Sequence, residues 1–290
     1  MKYQLKNKNL TVTVENRGAE LQSVKSADGT EYIWRGDEAS WADHAPVLFP
    51  FCGRLWDGYC TVDGERCNPE VHGFFRRLPT EVARETETSL TLTQQDSPET
   101  LAGYPFPYRF DMTYTLEDRT LTMQVKVTNR GGKTMPFALG LHPGFSMPFA
   151  GGQLTDYAVR FVGASGTIQR VNFDENEWFP IGGTRDFALR DGELFDPTEE
   201  FFAIGSAFFE EMPRTAVLEK KGTDRRITMH YPDFRYFGVW KAPGAPFLCM
   251  EPWTSMPPLS GKVCELNEKP DLVRLAPGES KTYTCTVTFQ

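Results

Sequence analysis

Strict alternation is the feature that most limits what this chain can fold into. From Leu121 to Thr128, in Leu-Thr-Met-Gln-Val-Lys-Val-Thr, every odd position is apolar and every even one polar. Tyr283, Cys285, Val287 and Phe289 repeat the pattern, with threonines at 282, 284, 286 and 288. A period of two turns one face of a strand toward a core and the other toward water, whereas a helix would scatter the same apolar residues around its circumference. Shorter runs of this kind occupy 10–14, 89–94, 110–116, 157–162, 215–219, 227–231, 236–241 and 247–251. Glu117-Asp118-Arg119 joins two strands as a hairpin, and Asn129-Arg130-Gly131-Gly132 ends the second. So many strands at short spacing predict an all-β chain, a large antiparallel β-sandwich with few short helices, rather than a βαβ array. The 25 glycines and 21 prolines leave long helices little room. One helical signal lies between Asp196 and Met212, where Pro197-Thr198-Glu199-Glu200 opens a turn, and it reads as a loop excursion. No repeat or linker divides the 290 residues, so residues 1–290 are expected to form a single domain.

Charge and cysteine usage narrow the functional classes. A net charge of −8 with no basic run argues against nucleic acid, whose binders need a basic face to displace counterions. No apolar stretch approaches the ~20 residues that span a bilayer, so no membrane partner is expected. Met1 to Asn7 alternates polar residues and lacks the apolar core of a secretion signal, which predicts a cytoplasmic protein. The six cysteines contain no C-x-x-C pair, so no metal site is expected. They read instead as buried free thiols, in keeping with a reducing compartment. The sequence carries no signal for oligomeric state. The stretch from Trp41 to Arg77, dense in Pro, Gly, His and aromatics but poor in alternation, reads as long ordered loops, which are usually functional.

Several strings place chemistry-bearing residues in unusual company. Glu251 follows the apolar run Phe247-Leu248-Cys249-Met250 and by alternation shares a face with Phe247 and Cys249. It is either a strand-end carboxylate held by an arginine or by solvent, or a general base in a cleft. His142 stands before Pro143 and between Gly140 and Gly144, with an extended backbone and little bulk nearby. It is either a structural hydrogen-bonding histidine or a proton donor near neutral pH. His72-Gly73-Phe74-Phe75-Arg76 sets a second histidine near a cation, and Gly53-Arg54-Leu55 sets an arginine in an aromatic loop. Surface solvation is the common fate of such an arginine; alternatively, its fork of donors can hold two sugar oxygens. Trp56, Phe74, Phe145, Trp240 and Trp253 are candidate floors for a saccharide, although most of the 22 phenylalanines must be core. His230 points away from the apolar face of its strand and reads as exposed, while His44 has no assigned role.

Taken in order, these strings resemble the aldose 1-epimerases, or galactose mutarotase-like proteins. Gly18-Ala19-Glu20-Leu21, the Phe49 to Arg54 loop, the His72 to Arg76 string, Tyr104-Pro105-Phe106, His142-Pro143, Glu251-Pro252-Trp253 and Leu275-Ala276-Pro277-Gly278-Glu279 carry the resemblance across nearly the whole chain. Leu48-Phe49-Pro50 and Glu251-Pro252-Trp253 look most like the LacX-type branch. The resemblance implies a galactose mutarotase-like supersandwich that interconverts the α and β anomers of a free aldose without a cofactor. It implies that His142 protonates the ring oxygen, that Glu251 removes the anomeric hydroxyl proton, and that Arg54 and His72 bind the sugar. Galactose mutarotases also grip sugar hydroxyls with an aspartate from mid-chain; no string places it here, and Asp186, Asp191 and Asp196 are the candidates. Two other functions share the scaffold: a non-catalytic carbohydrate-binding or sensing module, and a glycoside-cleaving enzyme. The latter normally uses two carboxylates, whereas the strings pair one carboxylate with histidines.

Overall fold

The alternating runs pair as their pattern predicts. A computed structural model describes residues 1–203 and 205–290. Thr120–Asn129 and Ser280–Phe289 lie side by side in the middle of a nine-stranded antiparallel sheet. From one edge to the other its strands are Leu194–Phe195, Tyr157–Phe161, Thr215–Lys220, Arg226–His230, Ser280–Phe289, Thr120–Asn129, Tyr108–Glu117, Ser89–Gln95 and Glu81–Glu85. Leu121, Met123, Val125 and Val127 are all buried, so the apolar set of the central strand faces the core. Each such side chain contributes about 1.5–3 kcal/mol when removed from water.

A second antiparallel sheet carries the site. Its strands run Pro180–Ala188, Thr167–Phe173, Ala207–Glu210, Tyr236–Trp240, Phe247–Trp253, Gly140–Leu141 and Val47–Leu48, with Gly144–Ser146 also pairing to Phe247–Trp253. All seven residues from Phe247 to Trp253 are buried, as expected of a strand covered on both faces. The two sheets meet through aromatic contacts such as Phe161 with Phe237, ring centroids 5.6 Å apart, within one continuous apolar cluster. A third sheet joins Lys2–Lys6, Leu10–Glu15 and Leu21–Ser26.

Two short α-helices stand outside the sheets among the described residues. Glu199–Phe202 realises the turn expected after Asp196; Thr198 caps it by accepting from the Phe201 amide. Pro98–Gly103 was not anticipated, although its signature is present in the sequence: proline at the first helical position, and Ser97 and Thr100 bonding each other's backbone amides as a capping box. The Trp41–Arg77 stretch, expected as long ordered loops, also contains short strands. Cys60–Val62 and Glu65–Cys67 form a hairpin, clipped in parallel by Cys264–Glu265. All six cysteines are buried free thiols, and no helix among the described residues is long and apolar enough to cross a membrane.

Candidate active site

The strand Phe247–Trp253 is bonded on one side to a partner that breaks in two. Gly140 pairs with Trp253 and Gly144 pairs with Cys249, leaving His142-Pro143 as the interruption between them. Counting inward from both ends places His142 opposite Glu251, and directly opposed residues project to the same face. Proline explains the break, because it offers no amide to the ladder; its carbonyl still accepts from the Met250 amide at 3.3 Å. Glycines bracket the histidine because nothing larger fits. A Cβ at Gly140 would stand 2.7 Å from the Trp253 ring, and one at Gly144 2.6 Å from the Trp41 ring. On the other flank Glu251 faces Gly238.

His142 Nε2 stands 3.1 Å from Glu251 Oε2. The approach is not aligned as a hydrogen bond, so Glu251 Oε2 is buried without a partner, and His142 Nδ1, the other ring nitrogen, is buried without one too. Burial acts on both groups in the direction that removes charge. It raises the Glu251 carboxyl well above its usual range, and it pushes His142 down to about 3, with the nearby Arg76 guanidinium adding to the effect. The pair is therefore kept free of net charge, with one titratable proton between two groups in near contact.

His72 reaches the same place from a loop. Its ring lies 5.6 Å from that of His142, edge to face, and 5.7 Å from that of Trp253. His72 has φ +65°, and Gly73 follows at φ +72°. A Cβ on Gly73 would come within 2.2 Å of the Phe49 carbonyl oxygen, so glycine is required there. Two reciprocal bonds fix the histidine: its amide donates to the Gly53 carbonyl at 2.9 Å, and the Gly53 amide donates to Nδ1 at 3.0 Å. A ring nitrogen that accepts from an amide carries no proton, which assigns the proton of the neutral ring to Nε2. Burial and the neighbouring His142, Arg76 and Arg54 hold His72 well below the usual histidine range, so it is neutral.

A cavity of about 330 Å³ joins these groups, a size at the small end for ligand sites. His142, Glu251, His72 and Arg54 all line it. Arg54 is exposed, with its guanidinium 4.5 Å from the centre of the Trp178 ring. Arg76 does not line it; its guanidinium bonds Asp43 and acts on the histidines from behind. Of the aromatic candidates, Trp240 and Trp253 face the cavity, whereas Trp56, Phe74 and Phe145 do not. His44 bonds the Trp34 carbonyl, and His230 is exposed as expected.

The cavity is lined by a mid-chain carboxylate other than those expected. Asp186 accepts from Gln169 at the exposed edge strand, and Asp191 and Asp196 pair with Arg190; none of the three reaches the cavity. Glu177 does, together with Asn176 and Trp178 on the connection between the Thr167–Phe173 and Pro180–Ala188 strands. Trp41, whose ring lies 5.1 Å from that of His142, also lines it. The sequence signal for the first group was the crowded Asp174-Glu175-Asn176-Glu177-Trp178 turn, polar yet ending on a tryptophan. A larger cavity of about 690 Å³ shares Pro257 with the first. Its Lys269 and Asp271 bond each other and Ser255, so those half-buried charges are already matched.

Comparison with known proteins shows what the whole chain is similar to. The profile of the family described as Aldose 1-epimerase matches residues 1–288. The chromosomally encoded protein LacX of Lactococcus lactis subsp. lactis is 27% identical, with 99% of each chain covered. Among solved structures, a galactose mutarotase-like protein from Lactobacillus casei superposes with a TM-score of 0.94 at 29% identity, covering all of both chains. A galactose mutarotase related enzyme from Lactobacillus acidophilus superposes at 0.92 with 27% identity, over all of this chain and 97% of the other.

Proposed function

Starting from the fact that the chain belongs to the aldose 1-epimerase family, we propose that it is a mutarotase, interconverting the α and β anomers of a free aldose, with residues 1–290 working as one domain. The observation that carries this reading is the register-opposed pair of His142 and Glu251, 3.1 Å apart in a cavity of monosaccharide size. Glu251 takes the proton of the anomeric hydroxyl while His142 gives one to the ring oxygen. The bond from the anomeric carbon to the ring oxygen breaks, leaving an open aldehyde. Rotation about the neighbouring carbon–carbon bond presents its other face, and the reverse transfers reclose the ring. Protons and electrons balance with no cofactor, and general acid–base catalysis of this kind is typically worth about 10²–10⁴-fold. His72, with its proton on Nε2, donates to a sugar oxygen, and the Arg54 guanidinium binds at the mouth.

These roles start from the proton on His142, whereas burial alone favours it on Glu251. A sugar hydroxyl donating to Glu251 supplies what the carboxylate form lacks, so binding itself moves the proton to the histidine. The same observation supports a second reading, a carbohydrate-binding protein in which the pair stays in its uncharged form and does no chemistry. Exchange spectroscopy of α and β anomers across a panel of aldoses decides between them. The mutarotase reading expects enhanced exchange for at least one sugar, lost by 10²-fold or more in Glu251→Gln. Sugar affinity with no enhancement in the wild type would establish the binding protein instead.

A further inference from the structure

Cys249 is a buried thiol that the proton-transfer scheme leaves unused. It stands two residues before Glu251 on the Phe247–Trp253 strand, so both side chains project to the face that His142 shares. Opposite Cys249 the broken partner strand carries Gly144, which adds no side chain to that face. A ring nitrogen of His142, the Cys249 sulfur and a carboxylate oxygen of Glu251 all lie within 4.8 Å of one another. They are the one such trio of metal-ligating groups among the described residues. Two of the three have lone pairs or donors to spare: Glu251 Oε2 and His142 Nδ1 make no hydrogen bond, on side chains only 2% and 9% exposed. Glu177, which also lines the cavity, is instead held by Arg170 at 3.4 Å and stands outside the trio.

Thiolate, imidazole and carboxylate together make a zinc-type donor set, and three protein donors leave a fourth position open. With bonds of about 2.0–2.3 Å, tetrahedral donors stand about 3.3–3.7 Å apart. His142 Nε2 and Glu251 Oε2, at 3.1 Å, are already near that spacing. The sulfur, within 4.8 Å of both groups, needs to move by on the order of 1 Å. Charge matches too. A thiolate and a carboxylate balance one divalent cation, so the buried site stays neutral. His142 and Glu251 line the cavity and Cys249 does not, so an ion enters from the cavity and turns its open position back toward it. We infer that His142, Cys249 and Glu251 form a site for a thiophilic divalent cation of the zinc or cadmium class, and that the bound ion and proton transfer exclude each other, because both need the lone pairs of His142 and Glu251. Binding forms metal–sulfur, metal–nitrogen and metal–oxygen bonds and releases about two protons, that of the thiol and that shared by the pair, with no oxidation or reduction. The cation site stands apart from the mutarotase reading; only the exclusion of anomer exchange rests on it. No cysteine spacing announces it, because its donors meet across a ladder rather than along the chain.

The test titrates metal-free wild type, Cys249→Ala, Cys249→Ser and Cys264→Ala with Zn²⁺, Co²⁺ and Mg²⁺. Cobalt reports thiolate ligation through a charge-transfer band in the near ultraviolet, and calorimetry in buffers of different ionisation enthalpy counts the protons released. Wild type should show the band, release about two protons per ion, and lose anomer exchange by about 10²-fold or more with Zn²⁺, with recovery on adding a chelator. Mg²⁺ at the same concentration should do none of this, since it prefers oxygen donors. Both Cys249 variants should lose the band, the serine keeping the shape of the site if the alanine does not fold. Measured against its own ion-free rate, exchange in each should resist Zn²⁺. Cys264→Ala should keep the band and the sensitivity. No band in the wild type, a band that survives the loss of Cys249, or exchange at full rate with the ion bound overturns the proposal. A Cys249-dependent band in a protein that exchanges no sugar upholds the cation site while overturning the mutarotase reading.

Discussion

At the scale of residues, the site is governed by burial acting on opposite kinds of acid. Burial lowers the histidine and raises the carboxyl, so across a broad range the His142–Glu251 pair holds one proton. A second proton enters only as pH falls toward about 3, and the last leaves only as pH rises through the raised Glu251 value. The pH profile of kcat/KM should therefore show no acid limb at the ordinary histidine value of about 6.5; a limb there would mean that a solvated histidine governs the reaction. His142 and Glu251 were legible as a candidate pair because each breaks its surroundings, a carboxylate after four apolar residues and a histidine between glycines. Glu177 was not, because it sits among other acids at 174–177 and nothing local distinguishes a carboxylate braced by an arginine from a solvated one. Trp41 was hidden for a related reason: it is one tryptophan of six, in a loop without periodicity.

Among elements, the connections decide where several of the cavity-lining groups stand. Gly73 lets the loop pass against the Phe49 carbonyl while His72 is fixed by Gly53. Gly73→Ala should destabilise the fold by on the order of 1–3 kcal/mol, the cost of a strained backbone position, and should weaken sugar binding more than it slows turnover of bound sugar. Calorimetry and a comparison of KM with kcat check both parts. The long strands were readable because periodicity reports directly on a half-buried sheet, and those at 108–117, 120–129 and 280–289 only lengthen the expected runs. The pieces of two or three residues, such as Val47–Leu48 and Gly140–Leu141, are too short to show a period; they exist because neighbouring strands supply the pairing. The Pro180–Ala188 edge, largely exposed and containing Gly182 and Gly183, has no apolar face to announce it.

For the whole molecule, the residues nearest the end of the chain hold the middle of the larger sheet. Ser280–Phe289 is bonded to Thr120–Asn129 on one side and Arg226–His230 on the other. Val287 pairs with both Leu121 and Met229 and is 2% exposed. Val287→Asp should cost roughly 3–5 kcal/mol, since a carboxylate there is buried without a partner, and circular dichroism should show loss of the cooperative transition rather than local fraying. The interrupted partner strand has a different kind of consequence. His142 and Glu251 share one ladder, whereas Arg54, His72 and Glu177 arrive on loops and turns outside it. On the proposed reading, exchanging loops would change which sugar is accepted while the opposed His142 and Glu251 keep their spacing.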